Sequence, residues 1–474
     1  MTQTLFFYDL ETSGLNGRDD RIMQFAGQRT DADLNPIGEP YNLLVAMNDD
    51  TLPSPQALMI TGVTPQKTLE EGYTEAQFAQ MFMSEIATPD TTIVGYNNIR
   101  FDDEFIRALL WRCYFDPYEW AYADGRSRWD LLDVVRMTRA LRPEGIEWPV
   151  IDGKASNRLE LLSKANGIDH VSAHDALSDV EALIGVAKLI KTKQPELYSY
   201  LYKLRDKNEV KKLINVEQPQ PFVYTSGRYS ADYDKTTVAM AISAAEHGNV
   251  FVYDLREDPS DWVAKSKQEI AAILATPYAE RDDSYKALPI KKLQYNRAPA
   301  VAPVGVLGQA DGWKRLGLDV DTVSKHQKIL RENKAFIDTA TELLNQKPEY
   351  PALPEAENQL YDGFVPQRDK LRMEAVRNAT REELKQLDPM FDDTRLAAML
   401  PRYKAYNFSS SLGDAERAAY EAYRTARISR QAPAFLKNLQ TLAANDSLSD
   451  HQQFVLEELK LWYESIVPVE EVYD

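Results

Sequence analysis

The sequence predicts an α/β domain first, then a small β-rich domain, then a helical one. Three observations carry this. Apolar and β-branched runs alternate with segments of helical period up to about residue 200. Short strand-like runs separated by polar turns follow. From about residue 355 the pattern is almost wholly helical.

Leu5 to Leu10 is an apolar, aromatic run suited to a buried strand, and Arg21 to Arg29 and Asn42 to Met47 read as further strands. Gly38 to Asn42 is punctuated by Gly, Pro and Asn and reads as a turn. Thr74 to Ile86 has helical spacing, Thr91 to Tyr96 is β-branched, and Asp102 to Tyr114 is again helical. Trp129 to Leu141, Arg158 to Ala165 and Asp175 to Ile190 continue the helical pattern, the last with Leu177, Val180, Leu183, Ile184 and Ala187 on one broad face. Strand-like runs then fall at Phe222 to Ser226, Thr237 to Ile242, Asn249 to Leu255 and Ala287 to Tyr295, with helices expected at Asp261 to Ala275 and Ser324 to Asn345. Helices are expected at Thr380 to Leu387, Thr394 to Met399, Gly413 to Ser429, Pro433 to Ala443 and Gln452 to Glu464. No repeat of fixed period is present.

A chain of 474 residues exceeds one ordinary core. Its 44% hydrophobic and 27% charged residues are those of a globular protein, and no run of apolar residues is long enough to span a membrane. The N-terminal residues lack the pattern of a signal peptide. The single cysteine, Cys113, builds neither a disulfide framework nor a thiolate metal site, which fits a cytoplasmic location. The net charge of −18 opposes nucleic-acid binding unless positive charge is concentrated locally. Between Lys188 and Lys212 eight basic residues face three acidic ones, and Tyr198, Tyr200 and Tyr202 lie among them. Such a mixture suits a single strand, whose phosphates need charge and whose bases need stacking surfaces; a solvated helix face gives the same composition.

Three elements carry chemistry. Asp9 and Glu11 follow the apolar run Leu5 to Tyr8, and residues two apart on a strand face the same way. Two carboxylates on one face near a strand's C-terminal end suit Mg²⁺ or Mn²⁺. A second Asp-x-Glu, Asp102-Asp103-Glu104, shows how little the pair means alone. That second element, Gly95 to Asp103, also follows an apolar run and enters a helix, so Asp102 is either a ligand or a helix N-cap. The third is His174 to Asp179. Five positions within one helix leave two residues about 140° apart, so the spacing works with His174 in the preceding loop and Asp179 on the first turns. His170 and Asp175 share the spacing; the helical pattern starting at Asp175 favours His174.

The order Asp-x-Glu, Asp, then His-x-x-x-x-Asp resembles the DEDDh exonucleases. Tyr8 to Thr12, Ile60 to Pro65, Gly95 to Asp103, Ser127 to Val134, Leu141 to Gly145, Lys164 to Ile168 and, far downstream, Gln359 to Phe364 narrow the resemblance to the bacterial exonuclease I family. It covers most of the chain and thins in the middle and in the last hundred residues. It implies a ribonuclease H-like exonuclease domain over residues 1–197, an SH3-like β-rich domain with inserted helices over 198–352, and a helical domain over 353–474.

The resemblance further implies a single-strand-specific exodeoxyribonuclease in DNA repair and recombination. It would degrade DNA processively from the 3′ end to 5′-mononucleotides. Two Mg²⁺ ions, replaceable by Mn²⁺, would be held by Asp9, Glu11, Asp102 and Asp179, with His174 as general base. Arg107, Tyr118, Tyr122, Arg136, Arg158, Tyr200, Lys207, Lys291, Asn296, Tyr361 and Phe364 match positions that contact the strand. Arg142 and Arg331 match a site for the acidic C-terminal tail of single-stranded DNA-binding protein, although Gln220 stands where that site has a cation. A monomer is expected. The rival readings are an exoribonuclease of the same superfamily, which the extra domains disfavour, and a catalytically silent single-strand-binding scaffold, which the complete set of four carboxylates and His174 disfavours.

Overall fold

Leu5 to Tyr8 are buried in strand β1 (Thr4–Thr12) because β1 lies inside its sheet, where an unbroken apolar run satisfies both faces. The computed structural model describes residues 3–168, 176–309, 311–346, 353–445 and 447–467. It divides into two compact units, one of residues 1–127, 170–184 and 351–474, the other of residues 128–169 and 185–350. Among the described residues no helix is long and apolar enough to cross a membrane.

In the first unit β1 pairs antiparallel with β2 (Ile22–Thr30) and parallel with β4 (Thr91–Gly95). β3 (Pro36–Leu44) forms the outer edge beyond β2, and the sheet order is β3-β2-β1-β4-β5, with β5 at Ser127–Asp130. One core joins Phe6, Tyr8 and Phe25 of the sheet to Phe78, Phe82, Ile106 and Leu110 of its helices. Met373, Val376, Leu396 and Tyr403 from the C-terminal helices complete it. The distant helical segment is therefore part of the same folded body as the first sheet.

Several elements depart from expectation for local reasons. β3 runs through Gly38 and Pro40, where a turn was expected, because an edge strand tolerates a missing N–H. The segment after Thr74 is an α-helix (Glu75–Met81) that widens into a π turn (Phe82–Ile86). Trp129 belongs to β5, and the helix begins at Leu131 behind the Asp130 cap. The expected break before Pro433 is absent: one helix spans Asp414–Ala443, and Ile428, Ala432, Phe435 and Leu439 bury one side of it across the proline. The helix Thr394–Phe408 likewise continues through Pro401.

The second unit holds a hairpin, β6 (Val150–Ile151) and β7 (Lys154–Ala155), turned by Asp152 and Gly153 at φ 49° and 75°. Its main sheet has the order β11-β10-β9-β8-β12 and is antiparallel throughout. The strands are β8 (Pro221–Thr225), β9 (Thr236–Ala245), β10 (Asn249–Asp254), β11 (Ile290–Leu293) and β12 (Ala300–Pro303). β12 ends in a proline and was not expected. The two long helices read from the sequence are each divided. Ser266 caps a new start at Lys267–Ala275, and Asn333 separates Val320–Glu332 from Lys334–Asn345.

Within the first unit a buried ionic network ties the sheet to the C-terminal helices. The Arg21 guanidinium, 1% exposed, lies 3.1 Å from Glu357, 3.9 Å from Glu75 and 4.0 Å from Asp50. Arg112 makes a forked pair with Glu75, Arg427 lies 3.3 Å from the Asp50 carboxylate, and the Tyr406 hydroxyl, with one proton to donate, lies 2.8 Å from Asp50 and 3.1 Å from Glu357. Burial alone would raise the Asp50 carboxyl, but the Arg427 and Arg21 guanidinium groups outweigh it and hold the group below its usual range. Removing one member strands the others in a water-poor setting. Asp50→Ala should therefore destabilise the first unit by about 3–5 kcal/mol, whereas Glu209→Ala, breaking the exposed pair with Lys212, should cost under about 1 kcal/mol. Thermal and denaturant unfolding of the two variants measure the contrast.

Candidate active site

β1 ends in Asp9-Leu10-Glu11, and the two-residue period sends both carboxylates to one side. Opposite the pair the register shifts, Glu11 facing Gln24 and Thr12 facing Ile22, so β2 carries an extra residue, Met23, beside the end of β1. Asp179 lies on the first turns of the helix Ala176–Lys193. Carboxylate oxygens of Asp9, Glu11 and Asp179 all come within 4.8 Å of one another. Asp9 is raised well above the usual carboxylate range, first by its enclosure and then by the negative charges of Asp102, Glu11 and Asp179. Asp102 is near enough for its charge to act on Asp9.

Local structure explains how Asp102 arrives there. β4 ends at Gly95, where a side chain would collide with Asn98. Asn97 turns the chain at φ 68°, a 3₁₀ turn follows at Asn98–Arg100, and the helix Asp102–Arg112 begins. Its capping position is Phe101, not Asp102, so the N-cap alternative is not what the structure adopts. Asp103 plays a structural part instead. It is fully buried and accepts from the Tyr8 hydroxyl at 2.8 Å and from Asn98 at 3.2 Å. The bond with Tyr8 fastens the helix start to the strand bearing Asp9. Sequence reasoning counted Asp103 and Glu104 only as a chance motif.

A cluster of acidic oxygens this tight fits a divalent cation in number and in donor type, since hard cations take carboxylate oxygens. Unneutralised, the same groups repel, which adds to the upward push that enclosure gives the Asp9 carboxyl. His174, the expected general base, lies outside the described residues, as does His170.

Of the expected strand contacts, Arg107, Tyr118 and Tyr361 come together in the first unit. Glu104 organises them: it accepts from Arg107 at 2.6 Å and from the Tyr361 hydroxyl. The Tyr118 and Tyr361 rings stand 6.3 Å apart, and Arg107 lies over Tyr118 at 5.9 Å. Tyr122 and Phe364 are exposed, Phe364 to 93%.

The second unit holds the other expected contacts. Arg136 pairs with Asp133 and Arg158 with Glu160. Lys207 opens the helix Lys207–Leu213 and is exposed. Lys291 donates to the Arg228 carbonyl and sits over the Tyr229 ring; burial pulls its ammonium down to about 8. The Asn296 carbonyl accepts from Arg128. Tyr200 lines a cavity of about 490 Å³ together with Arg142, Leu197, Pro303, Val306 and Gln309. Arg142 donates to the Gln309 side chain at 2.8 Å there. Arg331 donates to the Pro219 carbonyl at 2.7 Å.

Three family models match the chain: the exonuclease model over residues 6–187, the exonuclease I SH3-like domain over 205–346 and the exonuclease I C-terminal domain over 354–466. Exodeoxyribonuclease I of Haemophilus influenzae is 37% identical over 460 residues, covering 96% of this chain and 97% of that protein. Exodeoxyribonuclease I of Escherichia coli is 40% identical over 424 residues, 89% of each chain. The crystal structure of E. coli exonuclease I in complex with a dA16 oligonucleotide superposes with a TM-score of 0.94 at 36% identity, covering 98% of this chain and 100% of that one. A zinc-bound form of the E. coli enzyme with single-stranded DNA superposes at 0.93 with the same identity and coverage. With relatives this similar along nearly its whole length, the chain belongs to the exonuclease I family of metal-dependent exodeoxyribonucleases.

Proposed function

We propose that this exodeoxyribonuclease trims single-stranded DNA from its 3′ end, one nucleotide at a time, releasing 5′-mononucleotides. The observation that carries the reading is the convergence of Asp9, Glu11 and Asp179, with Asp102 close enough to perturb Asp9. Divalent ions held by these four residues, two Mg²⁺ or Mn²⁺ in this reading, would stabilise charge developing on the attacking and leaving oxygens. His174 takes the proton of the attacking water, a neutral imidazole being able to accept one near pH 7. The 3′-oxygen of the penultimate nucleotide leaves. Tyr118, Tyr122, Tyr361 and Phe364 offer rings to bases without regard to sequence, each stack being worth roughly 1–3 kcal/mol. Arg107, Arg136, Arg158, Tyr200, Lys207, Lys291 and Asn296 are assigned to the rest of the strand. The pair that the exposed Arg158 makes with Glu160 costs little to exchange for a phosphate.

The three-part division 1–197, 198–352 and 353–474 is supported by the spans of the family models. Processive digestion, a role in DNA repair and recombination, a cytoplasmic location and a monomeric state complete the proposal. We also assign to Arg142 and Arg331 the acidic C-terminal tail of single-stranded DNA-binding protein. The cavity beside Arg142 supports this, since a guanidinium next to Leu197, Pro303 and Val306 suits a terminal carboxylate carried on an apolar residue.

Digestion of 3′-labelled single-stranded DNA tests the central reading. Mononucleotide release is expected with Mg²⁺ and none with chelator. Asp9→Ala and Asp179→Ala are expected to lose at least about a hundredfold in rate while still binding the strand. Release in chelator, or full activity in either variant, would contradict the metal assignment. For the partner, a peptide with an acidic stretch and an apolar C-terminal residue should bind the wild type and lose affinity for Arg142→Ala by tenfold or so, the equivalent of about 1.4 kcal/mol. Equal titration curves would remove Arg142 from that site.

A further inference from the structure

We infer that Arg18 is an additional contact with the phosphodiester backbone of single-stranded DNA, carried on the loop joining β1 to β2 and held against the Tyr361 ring. The inference rests on the single-strand reading of the site and adds a residue to it.

The loop is built, not slack. A Cβ on Gly17 would stand 3.1 Å from the Glu104 carbonyl carbon and 3.1 Å from the Phe105 nitrogen, so the loop lies directly on the first turns of the helix that begins with Asp102. Asp20 accepts from the Asn16 backbone at 2.8 Å, Asp19 accepts from the Asn16 side chain at 2.6 Å, and the Arg18 N–H donates to the Asn16 side-chain oxygen at 3.2 Å. The C-terminal segment holds it from the other side. Asn358 donates to the Asp19 carboxylate at 2.7 Å and Arg427 to the Asp19 carbonyl at 2.9 Å. A side chain carried on this loop has a defined base within seven residues of Glu11.

Arg18 is the cation that this loop presents. Arg21, three residues on, is 1% exposed and consumed by the buried network. Arg107 is buried and paired with Glu104. Arg18 is half-buried, and among the described residues it forms no ion pair. Its polar contact is a long one, 3.4 Å to the Asn358 carbonyl. It lies 5.0 Å from the centroid of the Tyr361 ring, whose hydroxyl is itself fixed on Glu104. A guanidinium resting on an aromatic face keeps its edge free and planar, the geometry that grips a phosphate with two N–H groups.

The electrostatics call for such a group. Asp9, Glu11, Asp102 and Asp179 oppose the approach of a polyanion, and Asp103 and Glu104 lie next to Asp102 in the chain. Arg18 lies over the Tyr361 ring, one of the aromatic residues assigned to the strand, so a phosphate of a strand held there meets a positive charge that offsets that repulsion. The other role open to Arg18 is structural, a tether to Asn358.

Salt dependence separates the two. Binding of a fluorescently labelled oligothymidylate, followed by anisotropy in chelator across a series of KCl concentrations, gives the slope of log K against log salt. Arg18→Ala should bind more weakly with a slope shallower by ~0.7, the value for one phosphate contact on a single strand, and Arg18→Lys should keep the wild-type slope. A wild-type slope in Arg18→Ala overturns the inference, and a lowered melting temperature with that unchanged slope assigns the tether role instead. Wild-type protein that fails to bind the oligonucleotide, or digests it in chelator, would overturn the underlying reading rather than the place of Arg18 within it.

Discussion

Asp9 sits half-buried at the end of an interior strand with Glu11 on the same face, Asp179 within reach and Asp102 close behind. Like charges held this closely repel, and enclosure deprives them of the water that would screen them. The rest of the first unit bears that strain. Tyr8 and Asp103 lock the start of one helix to β1, and Gly95 and Asn97 shape the turn by which that helix approaches. Each device holds a carboxylate where repulsion would move it. A divalent cation turns the same arrangement from a cost into a gain, which is why a fold would keep it.

The C-terminal helices belong to this balance as much as the sheet does. Their apolar residues finish the core under β1, and Glu357, Tyr406 and Arg427 close the ionic network around Arg21 and Asp50. Buried charge pairs are modest stabilisers but costly to break. Their effect here is to make the loop after Glu11 dependent on residues more than three hundred positions away. Glu104 does the same on a smaller scale, joining Arg107 of one helix to Tyr361 of the distant segment.

Much of this was legible in the sequence, and the limits have physical causes. The period of two placed Asp9 and Glu11 on one face, and the apolar stripe after Asp175 anticipated a helix carrying Asp179. Whether Asp102 was a cap or a ligand stayed open, because an aspartate at a helix start looks alike in both roles; the capping position falls on Phe101, which a sequence pattern does not reveal. Asp103 and Glu104 were invisible because their partners, Tyr8 and Tyr361, are remote in the chain. The prolines at 40, 401 and 433 misled because tertiary burial and an edge position excuse a missing N–H that local rules penalise. Asp152-Gly153 is a readable hairpin signal, but the strands it joins are only two residues each, too short for a periodic pattern to show. Tyr200, read as part of a basic, aromatic stretch for DNA, lies in the cavity with Arg142, a neighbour that no local pattern could reveal.

The central claim is that repulsion at Asp9 is relieved by a divalent cation, and thermal unfolding of the wild type and Asp9→Asn with and without Mg²⁺ tests it most directly. Because the Asp9 carboxyl is raised in the folded state, its ionisation penalises the metal-free fold at pH values above that raised range. The penalty disappears as pH falls and the group is protonated both folded and unfolded. At neutral pH the wild type should therefore melt higher with Mg²⁺. Asp9→Asn should melt higher than the metal-free wild type and respond weakly to the ion, and the gap should close toward about pH 4, the ordinary carboxylate range. A wild type indifferent to Mg²⁺, or an Asn variant less stable than the metal-free wild type, would contradict the claim.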